Sequence, residues 1–156
     1  MRRRSNVRLE GGRRGRSALN ILLDASVAAA WFVPGQDTQS SAQLLTEAPR
    51  HTFAAPQFFY IEIRNVFLSA ERRGRMREAD TLRSLSVLAS FNLATAPSPS
   101  LREFDDVLTL ARQEGLTIYD GIYLWHAAQS RMTLATRHAD LIDASHRVGS
   151  SVLDLR

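Results

Sequence analysis

Short apolar segments alternate with longer amphipathic ones along the chain, and this alternation restricts the fold more than any other feature. Each apolar segment ends at a polar residue, Pro or Gly, as is typical of buried strands. Strands are predicted at residues 21–23, 52–54, 93–95, 133–136 and 151–153. The intervening segments predict helices at residues 27–32, 38–47, 58–72, 77–90, 101–114, 119–130 and 139–148. The pattern predicts an α/β fold, a three-layer α/β/α sandwich with a mainly parallel central sheet.

Arginine is concentrated at the amino terminus. Residues 1–19 contain seven of the 20 basic residues, all of which are arginines, and one acid, Glu10. A segment so rich in Arg and Gly and so poor in apolar residues is predicted to be a disordered basic arm. Electrostatic binding to RNA is one interpretation of the arm. The other is that residues 1–19 are not native and reflect a misassigned translation start. The folded domain is predicted at residues 20–156.

Several classes of protein are excluded by what the sequence lacks. Cysteine is absent, which excludes disulfides, thiolate zinc sites and cysteine nucleophiles. No apolar run approaches the roughly 18–20 residues of a membrane span, and no signal-peptide pattern is present. The folded part contains no Gly-rich phosphate loop and no nucleophile-elbow serine. We therefore expect a cytoplasmic protein that neither enters a membrane nor binds a nucleotide cofactor.

Three carboxylates occupy positions where the surrounding pattern is apolar. Asp24 directly follows a buried-type strand, Glu62 lies at the edge of an apolar helical stripe, and Asp120 opens a helix with an apolar face. Carboxylates in such places lose hydration and repel one another, so they need a positive partner. Lysine is absent and central arginines are few. A divalent cation fits, and oxygen ligands favour Mg²⁺ or Mn²⁺ over zinc.

Each acid also has a simpler structural interpretation. Asp24 could cap the turn after its strand, Glu62 could pair with an arginine, and Asp120 could interact with its helix dipole. On that interpretation the chain is a generic α/β domain. Ser26 is predicted to cap the helix at residues 27–32. Arginines around the junction of two central helices are candidates for RNA binding or for a solvated face: Arg64, Arg72, Arg73, Arg75 and Arg77.

Three of these segments, in this order, resemble the motifs of PIN domains, especially those of VapC-like toxins. Residues 21–27 (ILLDASV) resemble the opening strand and turn of the family. Residues 55–67 (APQFFYIEIRNVF) resemble its Pro…Glu-x-x-Asn helix, and residues 117–124 (TIYDGIYL) resemble its Tyr-Asp-Ala-x-Tyr-Leu segment with Gly in place of Ala. Residues 134–136 (LAT) resemble the strand before the family's last acid. The likeness extends over about residues 20–154.

The resemblance implies a metal-dependent endoribonuclease that is the toxin of a bacterial toxin–antitoxin pair. It implies that Asp24, Glu62 and Asp120 are the catalytic residues and hold Mg²⁺ or Mn²⁺. Water activated by the metal would attack an RNA phosphodiester, leaving 5′-phosphate and 3′-hydroxyl ends. The partners implied are RNA, a cognate antitoxin protein and a second copy of the chain in a homodimer.

The resemblance further implies that Asn65 holds Glu62 and that Ser26 and Thr136 lie near the metal. The sequence departs from the family two residues after Thr136, where His138 replaces the usual acid. His138 could bind Mn²⁺, although imidazole is a poor Mg²⁺ ligand. Alternatively, Asp140 could substitute, or a second metal could bind weakly or be lost. A catalytically weak or inactive PIN-fold module that binds RNA or an antitoxin is therefore the alternative function.

Overall fold

Five strands form the centre of the fold. A computed structural model describes residues 17–156, so residues 1–16 of the predicted basic arm lie outside the described part. The strands are β1 (Asn20–Leu23), β2 (Thr52–Pro56), β3 (Ala94–Ala96), β4 (Thr133–Thr136) and β5 (Val152–Asp154). They form one sheet in the order β3-β2-β1-β4-β5, and all four pairings are parallel. The predicted parallel sheet is confirmed.

Helices connect the strands wherever the sequence shows helical periodicity. They are α1 (Ala25–Phe32), α2 (Gln39–Glu47), α3 (Phe59–Arg72), α4 (Glu78–Ser90), α5 (Leu101–Glu114), α6 (Ile118–Ser130) and α7 (Ala139–Arg147). A 3₁₀ turn at Ala48–Arg50 follows α2. Side-chain caps explain several of the starts. Thr38 and Thr117 accept backbone hydrogen bonds at the first turns of α2 and α6, and Ser100 does so for α5.

The predicted cap at Ser26 is wrong. The first helix begins at Ala25, with Asp24 in the capping position and no side-chain cap hydrogen bond. Ser26 therefore lies inside the first turn, and its hydroxyl donates to Asp24 Oδ2 at 2.5 Å. The extended strand conformation continues through Asp24, which lets the helix start one residue after it. The Ser26 hydroxyl therefore orients the Asp24 carboxylate instead of capping the helix.

Helices cover both faces of the sheet and make the three layers. Alternate residues of β1 point to opposite faces, as the pleat requires. Ile21 and Leu23 pack in one cluster with residues of α1 to α4, among them Phe59 and Phe67. Leu22 packs in a second cluster with residues of α6 and α7. The three inner strands β1, β2 and β4 are therefore largely buried on both sides, which agrees with their mostly apolar sequences.

Gly121 lets α6 approach α5 closely. A Cβ atom built at this position would lie 3.1 Å from Ala111 Cβ and 3.4 Å from Val107 Cγ1. Both neighbours are buried residues of α5. Glycine therefore occupies the family's usual Ala position at a tight helix crossing, directly beside Asp120 at the amino end of α6.

The order of the strands places a crevice at the ends of β1 and β4. From β1 the chain runs to β2 and β3 on one side, and then returns to β4 on the other side of β1. In open parallel sheets, ligands bind outside the carboxyl ends of strands at such a switch point. Asp24 directly follows β1, and Arg137 and His138 directly follow β4. The topology thus brings two distant sequence segments to one edge of the sheet.

Within residues 17–156, no helix combines the length and apolar character that crossing a membrane requires.

Candidate active site

A cleft of about 630 Å³ opens at the carboxyl ends of β1 and β4. Its polar lining consists of acidic, hydroxyl and amide side chains, one histidine and several arginines, and small apolar side chains complete the wall. The acidic, hydroxyl and amide residues are Asp24, Ser26, Gln36, Glu62, Asn65 and Ser69, and the histidine is His138. The arginines are Arg73, Arg75, Arg137 and Arg156. Both signs of charge therefore border the same space.

Asp24 is the most deeply buried acid of the cleft, with 3% of its surface exposed. Its backbone N–H donates to the Ala135 carbonyl at 3.1 Å, which continues the pairing of β1 with β4. Its Oδ2 accepts hydrogen bonds from Ser26 Oγ at 2.5 Å and from Thr136 Oγ1 at 2.7 Å. Among the ion pairs formed within residues 17–156, none includes Asp24. The hydroxyls orient the carboxylate without neutralising its charge.

The same two hydroxyls hold the loop after β4. Ser26 Oγ accepts a hydrogen bond from the backbone N–H of Arg137 at 3.1 Å. Thr136 Oγ1 accepts one from the backbone N–H of His138, also at 3.1 Å. Each hydroxyl thus donates to Asp24 and accepts from a backbone amide. This network fixes Asp24 relative to the residues that follow β4.

Glu62 reaches the cleft from the first turn of α3 and is held by Tyr123. The Tyr123 hydroxyl donates to Glu62 Oε2 at 2.9 Å. Partial burial, with smaller contributions from the charges of Asp24 and Asp120, raises the pKa of Glu62 to about 6, although the Tyr123 hydrogen bond opposes this rise. Burial and the charges of Asp24 and Glu62 raise the pKa of Tyr123, so the phenol stays protonated and remains a donor. Protonation or a bound cation would offset the unfavourable electrostatic surroundings of the Glu62 carboxylate.

Asp120 lies in the first turn of α6 and has a cationic neighbour. Its Oδ2 accepts a hydrogen bond from Thr117 Oγ1 at 2.8 Å, and its Oδ1 lies 3.5 Å from His138 Nδ1. Burial would raise the pKa of Asp120, but the hydrogen bonds from His138 and Thr117 outweigh it and lower the pKa. The hydrogen bond to Asp120, opposed by burial and helped by the surrounding carboxylates, raises the pKa of His138 to about 9. His138 is therefore an imidazolium at neutral pH.

The donor chemistry of this edge fits a hard divalent cation, although the ligands are not gathered into a finished site. In the part of the chain that the structure describes, no three Asp, Glu or His side chains are close enough to hold a metal ion. Asp24 and Glu62 offer carboxylate oxygens that no cation neutralises within residues 17–156. Asp120 is paired with His138 instead. A cation binding here would need Asp120 to exchange the imidazolium for the metal.

The remaining predicted site residues are placed as follows. Asn65 lines the cleft, but within residues 17–156 it donates no hydrogen bond to Glu62, which Tyr123 holds instead. Ser26 and Thr136 lie beside Asp24, as the resemblance implies. Asp140 is exposed in the first turn of α7 and does not line the cleft. The metal-ligand roles of these side chains stay predictions.

The candidate RNA-binding arginines separate into two groups. Arg73 and Arg75, at the junction of α3 and α4, line the cleft. Arg64 and Arg72 do not, and Arg77 forms an ion pair with Asp80 on α4 at 2.9 Å. Arg64 Nη1 donates to the Tyr60 carbonyl at 2.9 Å.

Sequence reasoning missed two arginines of the cleft and the tyrosine that holds Glu62. Arg137 and Arg156 border the cleft, although no local pattern marks either of them. Tyr123 is three residues after Asp120, which places both on one helical face, and this spacing was the available signal. Its partner Glu62 is 61 residues away in the sequence. Only the folded chain shows this contact.

Comparison with known proteins gives a consistent answer. The chain is 27% identical over 107 residues to a curated relative, "Ribonuclease VapC3" of Pyrobaculum aerophilum, covering 68% of this chain and 79% of the relative. The solved structure of PAE2754 from Pyrobaculum aerophilum has a TM-score of 0.67 at 23% identity, over 90% of this chain and 93% of that one.

Two further solved structures share the fold. FitAcB from Neisseria gonorrhoeae has a TM-score of 0.61 at 19% identity, over 86% of this chain and 96% of that one. VapBC2 from Rickettsia felis, solved with a DNA fragment from its promoter, has a TM-score of 0.60 at 17% identity, over 88% and 100%. The PIN domain family itself matches residues 21–146, which is most of the chain. The protein therefore belongs to the PIN domain family.

Proposed function

We propose that the protein is a metal-dependent endoribonuclease, the toxin of a toxin–antitoxin pair, which hydrolyses RNA phosphodiesters. One observation carries the proposal. A single cleft contains two carboxylates, Asp24 and Glu62, that no cation neutralises within residues 17–156, and arginines that line the same space. A ligand that satisfies both must bring positive and negative charge together. A phosphodiester with a bound divalent cation is such a ligand.

The names of the relatives support the same activity. The curated relative is a ribonuclease of the VapC group, and one solved relative is a VapBC assembly. By analogy, an antitoxin of the VapB kind is the protein partner that we propose for this chain. The homodimer implied by the resemblance stays a prediction, to be checked by the mass of the purified protein in solution.

In this proposal Asp24, Glu62 and Asp120 hold Mg²⁺ or Mn²⁺. The ion would activate a water molecule and offset charge on the phosphate. Ser26 and Thr136 hold Asp24 in one orientation, so that this ligand loses little freedom when the ion binds. Tyr123 does the same for Glu62 by donating to Oε2 and leaving Oε1 free. Arginines of the cleft hold the RNA backbone against these carboxylates.

The pairing of Asp120 with His138 supports the alternative function, a PIN-fold module that binds RNA or an antitoxin and cleaves weakly or not at all. The imidazolium already neutralises one of the three proposed ligands. Binding of a divalent cation must displace that contact, which weakens metal affinity. A protein with this arrangement could retain RNA or antitoxin binding while cleaving slowly or not at all.

The experiment compares RNA cleavage by the full-length protein, free of antitoxin, with that of Asp24→Asn and Glu62→Gln variants. The matched control is Asp105→Asn, because Asp105 is an exposed acid of α5 outside the cleft. We expect cleavage of a structured RNA pool with Mg²⁺ or Mn²⁺, loss of cleavage with EDTA, and loss in both cleft variants but not in the control.

Thermal unfolding of each variant establishes that it is folded. No cleavage by folded wild-type protein with either ion would contradict the nuclease proposal and support the binding module. Equal cleavage by the wild type and both cleft variants would place the activity outside this cleft.

A further inference from the structure

Arg137 lies between a residue that contacts Asp24, which lines the cleft, and a residue that contacts Asp120, which is not among the residues lining it. The residue before it, Thr136, donates to Asp24, and the residue after it, His138, pairs with Asp120. Its own backbone N–H donates to Ser26 Oγ at 3.1 Å. The backbone of Arg137 is therefore held on both sides by the network that orients the proposed metal ligands.

Arg137 lines the cleft, and its guanidinium has no hydrogen-bond acceptor among residues 17–156. Its Nε is shielded from solvent and forms no hydrogen bond with any part of residues 17–156. In two other arginines, Nε donates a hydrogen bond to a carboxylate oxygen. Arg147 Nε donates to Glu114 Oε2 at 2.6 Å, and Arg156 Nε donates to Asp154 Oδ1 at 3.0 Å. A shielded N–H without an acceptor is costly, so a rotation of the side chain that brings the guanidinium to an acceptor in the cleft is favoured.

The other charges of the cleft select the chemistry of a ligand that supplies this acceptor. A guanidinium presents a planar fork of donors that matches carboxylate and phosphate oxygens. Any anion in this cleft, carboxylate or phosphate, is repelled by Asp24 and Glu62 and needs several cationic contacts to offset that repulsion. A phosphodiester would meet Arg73 and Arg75 as well, since they line the same cleft. A nucleic-acid strand carries a phosphate at every nucleotide and can contact several of these arginines at once, so the surroundings of Arg137 favour a nucleic-acid backbone.

We propose that Arg137 binds a phosphate of the RNA backbone and positions it beside Asp24 and Glu62, where the network around Ser26 and Thr136 holds the backbone of Arg137 and the carboxylate of Asp24. This inference rests on the proposed function, because it assigns a residue that grips the substrate of that same site. It adds a residue that no motif marked. It also gives a structural role to the position between Thr136 and His138.

The experiment measures binding of a fluorescently labelled single-stranded RNA to full-length protein in EDTA, over a series of monovalent salt concentrations. EDTA prevents cleavage and makes the salt dependence report phosphate contacts alone. The variants are Arg137→Gln and Arg137→Lys. The matched control is Arg112→Gln, because Arg112 is exposed on α5 and does not line the cleft. Thermal unfolding is measured for every variant.

We expect Arg137→Gln to weaken RNA binding roughly tenfold or more, as for loss of a charge-assisted hydrogen bond. The slope of log K against log salt is negative, and its magnitude should decrease by about 0.7, which corresponds to the loss of one phosphate contact on a single strand. Arg137→Lys should restore the slope, because the charge remains, but only part of the affinity, because the fork is lost. Arg112→Gln should match the wild type.

Two results would overturn the inference. One is RNA binding by Arg137→Gln with the same affinity and slope as Arg112→Gln. The other is an absence of RNA binding by the wild type at low salt. If Arg137→Gln unfolds at a lower temperature than the wild type, the comparison uses Arg137→Lys instead. Equal RNA affinity of Arg137→Lys and the wild type would then exclude a bidentate contact between Arg137 and a phosphate. Failure of the nuclease proposal looks different, because RNA binding would still depend on Arg137 while Mg²⁺ and Mn²⁺ produced no cleavage.

Discussion

Asp24 and Asp120 are both proposed ligands of one metal, but the chain holds them in different ways. Asp24 is buried and accepts two hydroxyl hydrogen bonds, from Ser26 and Thr136, with no ion pair inside residues 17–156. Asp120 is more exposed and lies beside the imidazolium of His138. Hydroxyl donors orient an acid and leave its charge uncompensated. An imidazolium compensates the charge and thereby competes with a metal ion.

This difference assigns separate tasks to the two sides of the cleft. The Asp24 side is organised in the ligand-free protein, because the hydroxyl donors to its carboxylate come from Thr136 of β4 and Ser26 of α1. The Asp120 side is stable without metal, because His138 supplies a positive charge where the family usually has an acid. We therefore expect His138 to stabilise the metal-free protein and to weaken any metal binding at Asp120. Variants on each side can test this comparison.

The largest expected effect comes from removing the hydroxyl that orients Asp24. Thr136 is fully buried, and Thr136→Val replaces its hydroxyl with a methyl group of similar size. We expect the free energy of unfolding to fall by about 1–3 kcal/mol, because Asp24 and the His138 amide lose a buried partner. Metal-dependent cleavage should fall about 10–100-fold, as for other residues that orient ligands. Urea unfolding and initial cleavage rates measure the two effects.

The control for this variant is Thr109→Val, because the Thr109 hydroxyl donates to a helix carbonyl on the exposed face of α5. Ser26→Ala should give a smaller loss of stability than Thr136→Val, since Ser26 is only half-buried. If Thr136→Val kept wild-type cleavage and stability, the network around Asp24 would not be what prepares this side of the cleft.

The next effect comes from restoring an acid opposite Asp120. His138→Asp replaces the imidazolium with a carboxylate, which repels Asp120 without metal and can share a cation with it. We expect the metal-free protein to unfold at a lower temperature than the wild type, and Mn²⁺ to raise that temperature by more than it does for the wild type. His138→Gln, which is neutral, should give an intermediate response. An equal Mn²⁺ response in all three proteins would show that His138 does not compete with the metal.

The smallest expected effect is on the pH dependence of stability in EDTA. The folded-state pKa of His138 is about 9, against an ordinary value of 6.5, chiefly because of its hydrogen bond to Asp120. The folded protein therefore holds this proton more tightly than the unfolded chain does. The resulting stability is fully present below about pH 6.5 and is lost as the pH rises towards 9. The effect should be small, because 53% of the His138 side chain is exposed.

Urea midpoints measured between about pH 6.5 and 9 should decline for the wild type and stay flatter for His138→Gln. Glu62 titrates with a pKa of about 6, so most of its contribution lies below this window. The same decline in both proteins would assign the pH dependence to groups other than His138 and would remove the proposed difference between the two sides.

Much of the fold could be predicted because its signals are local. The run of residues 21–23 and the helical spacing of residues 101–114 each appear within a few turns of chain, and both match the observed β1 and α5. Asp24 also stood out locally, as an acid at the end of an apolar strand. The predicted start of α1 after Ser26 is wrong. Ser26 is a residue type that favours the cap position, but in the folded protein its hydroxyl donates to Asp24 and the helix begins at Ala25.

The sequence by itself determined that the chain is a parallel α/β sandwich, and it identified Asp24, Glu62 and Asp120 as acids in costly places. Only the tertiary structure decided what each acid contacts. Asp24 accepts from its near neighbour Ser26, but its second hydroxyl donor is Thr136, 112 residues away, and the donor to Glu62 is Tyr123, 61 residues away. Periodicity records which face of an element is buried. It does not record which distant side chain meets that face, because that depends on strand order, and strand order placed Arg137 and His138 beside the first strand.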